Sequence, residues 1–244
     1  MEAPTTTLDQ SRFEDPLYTI AEAARIIDVP PSTLSTWARG YVRRPPNRPE
    51  VRGEPIVTYR EMYGPRRPSI PFVGLTEATV LAAIRASGVP MQRIRPALKE
   101  LQRGLGIRHA LASSKLYTDG AELLYDYAER HPDAKAARAA RRLVVIRSGQ
   151  SVFSEVIAEY LRGFRYAPDG YVELFRVPAY RQASVVVDPT RSSGAPIFER
   201  GGCRVEDVLQ RFQAGESLKE LTEEFGVPAN HLEDAIRVAS RRAA

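Results

Sequence analysis

The fold of this chain is decided by the stretch YTIAEAARIIDVPPSTLSTWARGY, which runs from residue 18 to residue 41. Thr19 stands three residues before Glu22, which is the spacing of a capping box at the start of a helix. Apolar residues then recur at helical spacing and predict one buried face. These residues are Ile20, Ala23, Ala24 and Ile27.

A second helix is predicted after the turn Asp28-Val-Pro-Pro31, because proline has no N–H to donate and restricts the residue before it. We expect Ser32 to cap this helix, and Leu34 and Trp37 to pack on the first one. The polar side chains on its other face suit hydrogen bonds to phosphates and base edges in a major groove. These candidates are Ser32, Thr33, Ser35, Thr36 and Arg39. The pair predicts a helix-turn-helix; the alternative is a helical hairpin with a solvated outer face.

Positive charge is concentrated directly after the second helix. Between residues 39 and 67 there are eight arginines and three acids, a balance of 8 − 3 = +5, which equals the formal net charge of the whole chain. A local field of this kind attracts a polyanion such as DNA, and a solvated arginine-rich loop is the alternative. The candidate DNA contacts here are Arg39, Tyr41, Arg43, Arg44, Arg48, Arg52, Arg60, Arg66 and Arg67.

The same segment has the layout of a β-hairpin. Residues 55–59 and 69–72 are β-prone, and Gly64, Pro65 and Pro68 lie between them in a basic, turn-rich tip. A hairpin beside a recognition helix can lay arginines along phosphates or into a minor groove.

Residues 18 to about 103 resemble the winged-helix domain of the MerR superfamily. The resemblance is carried by Thr19-Ile-Ala-Glu-Ala-Ala24, Ser32-Thr-Leu34 and Gly88-Val-Pro-Met-Gln-Arg-Ile-Arg95. It implies binding to double-stranded DNA, and a palindromic site would match a homodimer.

The resemblance does not extend to a sensor site. The chain has one cysteine and three histidines, and no two of Cys203, His109, His131 and His231 have the spacing of metal ligands. We therefore predict no metal site and no cofactor.

Length and composition allow one large domain or two modest ones. The chain has 244 residues, of which 43% are hydrophobic, and its single cysteine cannot form an internal disulfide. We see no secretory signal and no apolar run that could span a bilayer, and so expect a cytoplasmic protein. Residues 1–17 are expected to form a flexible arm.

Helices are predicted at residues 76–87 and 91–103, directly after the basic segment. The middle of the chain that follows them reads as a small α+β region. The turns Asp119-Gly120 and Asp169-Gly170 each predict a hairpin. A helix or linker (134–142), a strand (143–146) and a helix (152–161) are predicted between them.

The C-terminus predicts a second helix-turn-helix-like unit of three helices. Ser217 and Glu220 have capping-box spacing, and Asn230 and Glu233 repeat it after the turn at residues 226–229. Residues 205–241 contain eight acids and four bases, a balance of 4 − 8 = −4, so phosphate is repelled. We expect this unit to bind protein; a solvated surface is the alternative.

Residues 184–240 resemble the domain-of-unknown-function family that supplies VapB-type antitoxins beside PIN-like ribonuclease toxins. The matching motifs are Asp188-Pro189, Gly194-Ala-Pro-Ile-Phe198, Cys203-Arg-Val205 and Gly215-Glu-Ser217. The resemblance implies a cognate toxin as partner, with an arginine pairing with its metal-binding carboxylates. The candidates are Arg191, Arg200 and Arg204, which could equally be exposed without a role.

These observations predict a mainly α protein with small β hairpins, of α+β class. Its expected parts are an arm (1–17), a winged helix-turn-helix (18–108), an α+β middle (109–183) and a helical C-terminal domain (184–244). The expected function is that of a type II antitoxin which binds its operator and neutralises a toxin. The alternative is a stand-alone MerR-like regulator whose C-terminal part binds a ligand or dimerises. We expect that the protein is not an enzyme, because the sequence has no phosphate-cradling glycine loop, nucleophile elbow or spaced His/Asp/Cys set.

Overall fold

A computed structural model describes residues 8–44, 50–61, 67–147 and 150–243. The chain forms two compact units, Met1–Val172 (unit 1) and Glu173–Ala244 (unit 2). The described residues are mostly helical, with small antiparallel sheets. The predicted mainly α, α+β fold class is confirmed. The predicted division into four functional parts stays a prediction.

Unit 1 opens with short elements and continues with long helices. The first elements are α1 (Leu8–Glu14), β1 (Pro16–Tyr18), α2 (Ile20–Ile26), α3 (Pro31–Arg39), β2 (Tyr41–Arg43), β3 (Val51–Gly53) and β4 (Ile70–Pro71). The helices α4 (Phe72–Ala86), α5 (Met91–Leu105), α6 (Ser114–Arg130) and α7 (Lys135–Arg141) follow. The last elements are β5 (Val144–Arg147), β6 (Gln150–Phe153), α8 (Glu155–Arg162) and β7 (Phe164–Tyr166).

The helix pair α2 and α3 forms as the sequence predicts. The Thr19 N–H donates to Glu22 Oε2 at 2.8 Å, and the Glu22 N–H donates to Thr19 Oγ1 at 3.2 Å, so the capping box is confirmed. The predicted cap at Ser32 is wrong: α3 begins at Pro31, with Pro30 in the N-cap position. Proline is well suited to the first helical position, since its missing N–H has no acceptor there in any case.

The hairpin predicted at residues 55–59 and 69–72 is wrong, and a different hairpin takes its place. Strands β2 and β3 pair antiparallel, with Tyr41 opposite Gly53. Residues 56 and 57 instead donate their N–H groups to the Trp37 carbonyl, at 2.8 and 3.3 Å, which ties this segment to the end of α3. Strand β4 pairs with β1. The predicted tip residues Gly64 and Pro65 lie outside the described residues.

The segment predicted as a flexible arm contains a helix in its described part. Arg12 of α1 is 4% exposed and pairs with Asp169, while the Phe13 ring lies edge-on to Tyr171 at 5.1 Å. These contacts hold α1 against the rest of unit 1.

Helix α4 is the centre of unit 1. Its residues 72–84 are all buried. Two of them are threonines, and their hydroxyls donate within the helix, Thr76 to the Phe72 carbonyl and Thr79 to the Leu75 carbonyl. The polar groups of these side chains are thus satisfied inside an apolar environment. The predicted helices at 76–87 and 91–103 are confirmed, each somewhat longer than expected.

Substitution of Gly74 by alanine is expected to destabilise unit 1 by roughly 1–3 kcal/mol. An added Cβ at Gly74 would lie 2.2 Å from the backbone oxygen of Thr58. The steric cost of this overlap exceeds the gain of about 1 kcal/mol in helix propensity. Gly104→Ala is the matched control in α5, because its Cβ meets only the flexible Leu123 side chain at 3.0 Å. Urea denaturation followed by circular dichroism compares them; equal midpoints would contradict the close approach of α4 to Thr58.

The hairpin predicted at Asp119-Gly120 is wrong, because α6 continues through both residues. Gly120 is buried, and an added Cβ would lie 2.9 Å from Leu116 and 3.0 Å from the Phe153 ring. Glycine is needed here for close packing and not for a turn. At the second site the turn is confirmed, with Gly170 at φ +83° before strand β8 (Val172–Arg176).

Unit 2 combines a small sheet with three helices. Strands β8, β9 (Val185–Val187) and β10 (Ile197–Phe198) are antiparallel, with β9 in the middle. The predicted helices form as α9 (Val205–Gln213), α10 (Leu218–Phe225) and α11 (Ala229–Ala243). The Ser217–Glu220 capping box is confirmed, whereas the cap predicted at Asn230 is wrong because α11 already begins at Ala229.

Candidate nucleic-acid interface

Helix α3 has one buried face and one polar face. Leu34 and Trp37 are buried, at 0% and 2% exposure, and they hold the helix against α2. The predicted reading residues all lie on the accessible side: Ser32, Thr33, Ser35, Thr36 and Arg39. Thr36 Oγ1 donates to the Ser32 carbonyl at 2.8 Å, so its hydroxyl oxygen stays able to accept.

Arg39 is held at the end of α3 by Tyr59. Its guanidinium lies 5.3 Å from the centre of the Tyr59 ring, and its Nε donates to the Tyr59 hydroxyl at 3.2 Å. Stacking on an aromatic ring limits the orientations of the arginine without removing its charge. A cation is thereby fixed beside the polar face of α3.

The β2–β3 hairpin continues this basic surface. The Tyr41 ring is contacted by two guanidinium groups, Arg43 at 5.2 Å and Arg95 at 5.5 Å from its ring centre. Glycine at position 53 makes room for this ring, since an added Cβ would lie 2.2 Å from Tyr41 Cε1. Arg95 belongs to α5 and also donates to the Glu54 carbonyl, which joins α5 to the hairpin.

Glu50 bridges two of the predicted DNA contacts. It accepts from Arg44 Nε at 2.7 Å and from Arg52 Nε, and these two hydrogen bonds lower the pKa of its carboxyl. The side chains of Arg44 and Arg52 are still 81% and 75% exposed. The group of three therefore carries one net positive charge and presents both guanidinium groups to solvent.

Fewer interactions are described for the remaining predicted DNA contacts. Arg60 lies 4.0 Å from Glu14, and Arg67 is exposed. Arg48 and Arg66 lie outside the described residues. The DNA-binding role of the whole set stays a prediction.

Two further cations beside this surface were not singled out from the sequence. Arg85 of α4 donates to Thr33 Oγ1 at 3.5 Å, and Arg95 stacks on Tyr41. They are 52 and 54 positions away from these partners, so no local pattern links them. Only the packing of α4 and α5 brings them to α3 and the hairpin.

In unit 2 the predicted toxin contacts are all exposed: Arg191, Arg200 and Arg204. Arg191 packs close to Gly202, the residue before Cys203. A Cβ added to Gly202 would lie 3.1 Å from Arg191 Nη2. Arg204 pairs with Glu206 at 3.2 Å and lies 4.0 Å from Asp207. Burial raises the pKa of the Cys203 thiol above its ordinary value.

The described ranges contain neither a metal-binding cluster nor a membrane-spanning helix. No group of three or more His, Cys, Asp or Glu side chains there is arranged to hold a metal ion. No helix within residues 8–44, 50–61, 67–147 and 150–243 has the length and hydropathy needed to cross a membrane.

The fold and this surface define a helix-turn-helix protein with a separate C-terminal unit. Residues 16–98 match the family described as "Putative DNA-binding HTH domain". Residues 185–239 match the family described as "Protein of unknown function (DUF433)".

Whole-chain comparisons identify the family. The chain is 47% identical over 229 residues to "Putative antitoxin VapB45" of Mycobacterium tuberculosis (strain ATCC 25618 / H37Rv), covering 92% of this chain and 94% of that protein. It is 26% identical over 235 residues to "Uncharacterized protein Rv2308" of the same strain, covering 93% and 91%. The crystal structure of Rv2018 from Mycobacterium tuberculosis superposes with a TM-score of 0.82 at 43% identity, covering 92% of this chain and 99% of that one. This protein belongs to the family of the putative antitoxin VapB45, as the VapB-type resemblance predicts.

Proposed function

We propose that this protein is the antitoxin of a type II toxin–antitoxin system, which represses its own operon and neutralises a PIN-like ribonuclease. One observation carries the DNA part: the polar face of α3 is flanked on the same unit by the arginines of the β2–β3 hairpin. The match of residues 16–98 to a DNA-binding family and the name of the 47% identical relative support it.

The proposed DNA contact follows from this arrangement. Helix α3 enters the major groove, where Thr33, Ser35 and Arg39 reach base edges, and Arg43 follows the phosphate backbone. In this reading the N-terminal unit is a MerR-like winged helix that acts as a cytoplasmic homodimer. A dimer places its two recognition helices about 34–36 Å apart, one turn of B-DNA.

A salt titration tests the DNA contact directly. Arg39→Ala/Arg43→Ala is expected to weaken binding to the DNA upstream of the gene and to lower the slope of log K against log salt by about 2. Fluorescence anisotropy at several salt concentrations measures both. Arg103→Ala/Arg130→Ala removes the same charge from α5 and α6 and serves as control. An unchanged slope in the first variant would show that these arginines do not touch phosphate.

Glu50→Gln is expected to tighten DNA binding about 3- to 10-fold at low salt and to steepen the salt dependence. The substitution removes the carboxylate that pairs with Arg44 and Arg52, so both guanidinium groups become available to phosphates. The same anisotropy titration measures the change. Glu54→Gln is the matched control on the neighbouring loop, where the partner is Lys99 of α5. Weaker binding by Glu50→Gln would mean that the bridge itself holds the hairpin in its binding conformation.

The toxin part of the proposal concerns unit 2. Its helices carry more acids than bases, which disfavours DNA, and residues 185–239 match the DUF433 family. A PIN-like nuclease concentrates carboxylates that hold divalent metal, and an arginine can pair with them. Arg204 already pairs with Glu206, so binding would exchange this partner for a nuclease carboxylate.

Co-expression in a host that lacks both genes tests toxin neutralisation. The full chain is expected to relieve the growth arrest caused by a nuclease encoded beside it. Arg191→Glu/Arg200→Glu is expected to lose this rescue while keeping DNA binding, and Lys219→Glu is the control on α10. Continued arrest with the unaltered chain would contradict the toxin contact and favour the stand-alone regulator, which binds DNA without a toxin.

A further inference from the structure

A shallow cleft on unit 1 is lined by four cations that the DNA surface described above does not include. The cleft encloses about 320 Å³ between the start of α5 and one face of α7. Its lining residues are Val89, Pro90, Arg93, Lys135, Arg138, Ala139 and Arg142. No carboxylate is among them.

The sequence of α7 explains why the cations gather on one side. Ala136, Ala137, Ala139 and Ala140 are buried against the neighbouring helices. Positions 135, 138 and 142 recur at intervals of three and four, so their side chains lie along one stripe of the helix. This stripe faces Arg93, which lies in the first turn of α5.

The pairing of these cations sets them apart from their neighbour Arg141. Arg141 bonds Glu129 at 3.1 Å, whereas none of the four cleft cations forms an ion pair with a carboxylate of residues 8–44, 50–61, 67–147 or 150–243. The Arg138 side chain donates to the Asp133 carbonyl, at 3.1 Å. Four like charges without a counter-charge repel one another, and an anion placed between them removes that repulsion.

The start of α5 adds to the positive potential. Pro90 is the N-cap of this 15-residue helix and lines the cleft, and the first turn contains no acidic residue. The N-terminus of a helix carries a partial positive charge that favours an anion. Helix dipole and side chains thus act in the same direction.

The cleft is linked to α3 through the end of α4. Arg142 lies close to Gly88, in the turn between α4 and α5. A Cβ added to Gly88 would lie 3.5 Å from Arg142 Nη2. Arg85, three residues before Gly88, donates to Thr33 of α3. Three residues span at most about 11 Å, so only a short stretch of backbone separates the residue that contacts α3 from the edge of the cleft.

We propose that this cleft binds a phosphate group. Two sources share this chemistry: a backbone phosphate of the DNA that flanks the operator, or a free phosphate anion. The DNA source rests on the proposed function, and the free anion does not.

The test uses the full chain and the variant Arg138→Gln/Arg142→Gln. The control Arg103→Gln/Lys115→Gln removes the same charge from the last turn of α5 and the first turn of α6; Arg103 lies about 15 Å along α5 from Arg93. All four replaced side chains are exposed, so both variants are expected to keep the melting temperature of the unaltered chain. In the first arm, inorganic pyrophosphate is titrated by isothermal calorimetry without DNA. In the second arm, the salt dependence of DNA affinity is measured for an operator duplex with 10-bp flanks and for the same operator trimmed of these flanks.

An at least 10-fold loss of pyrophosphate affinity in the cleft variant alone establishes a free-anion site. A salt slope lowered by about 2 on the flanked duplex alone, with the trimmed duplex unaffected, establishes a backbone contact. If the cleft variant has the same pyrophosphate affinity and the same salt slope as the control variant, the proposal is overturned. If the unaltered chain binds no DNA, the proposed operator function fails, and the pyrophosphate arm by itself decides the cleft.

Discussion

Trp37→Ala is expected to lower the free energy of unfolding of unit 1 by roughly 3–5 kcal/mol and to abolish DNA binding. Trp37 is 2% exposed, and its side chain is the largest that α3 buries. Helix α3 has nine residues, too few to be stable without packing. Removing the indole leaves a cavity under α3, so the polar face of this helix loses its fixed position.

The measurement must avoid intrinsic fluorescence, because Trp37 is the only tryptophan of the chain. Urea denaturation followed by circular dichroism gives the loss of stability, and anisotropy with labelled duplex gives the loss of affinity. Trp37→Phe keeps most of the apolar volume, and its expected cost is about 1–2 kcal/mol with DNA binding retained. An alanine variant with an unchanged midpoint would show that α3 is held by other contacts.

The helix pair at residues 18–41 could be predicted because its signals are local. The Thr19–Glu22 box and the Pro30-Pro31 turn depend on residues within one helical turn, and Leu34 and Trp37 stand at helical spacing on one face of α3. The same holds for the Ser217–Glu220 box of α10. Local hydrogen bonds and periodicity are properties of a short peptide segment, so one sequence is enough to read them.

The errors in hairpins and turns come from positions where a distant partner decides the structure, whereas the caps predicted at Ser32 and Asn230 are misplaced only locally, at the helix start. Residues 56 and 57 are β-prone, yet their N–H groups bond the Trp37 carbonyl and leave the hairpin to β2 and β3. Asp119-Gly120 has the composition of a turn, yet Gly120 is required by the Phe153 ring against α6. Turn propensity amounts to about 1 kcal/mol or less, and close packing outweighs it.

The candidate DNA surface shows the same division. The polar residues of α3 and the arginines after it could be named from the sequence. Arg85 and Arg95 could not, because α4 and α5 bring them to Thr33 and Tyr41 from more than 50 positions away. The cleft on α7 depends in the same way on the packing of α5 against α7.

Asp234 is the second position at which a single substitution is expected to have a large effect. It lies on α11 and is 2% exposed. Its Oδ2 accepts the N–H groups of Gln182 at 2.8 Å and Ala183 at 3.1 Å, just before strand β9. Burial raises the pKa of this carboxyl, but the N–H groups of residues 181–183 and the nearby Arg237 outweigh that effect, so the pKa lies below its ordinary value.

Asp234→Ala is expected to destabilise unit 2 by about 3 kcal/mol at pH 7, because the buried N–H group of Ala183 and the part-buried N–H group of Gln182 lose their acceptor. Since the pKa of Asp234 is lowered by folding, its contribution is complete above the unfolded-state pKa of about 3.9 and is lost as pH falls through the folded-state value. Hydrogen exchange of residues 173–243 at pH 7 and at pH 3 measures both effects. Asp234→Asn keeps one acceptor oxygen and cannot ionise, so it is expected to cost less at pH 7 and to show a weaker loss of protection on acidification. If the alanine variant exchanges like the unaltered chain at pH 7, the carboxylate does not hold α11 to the segment before β9.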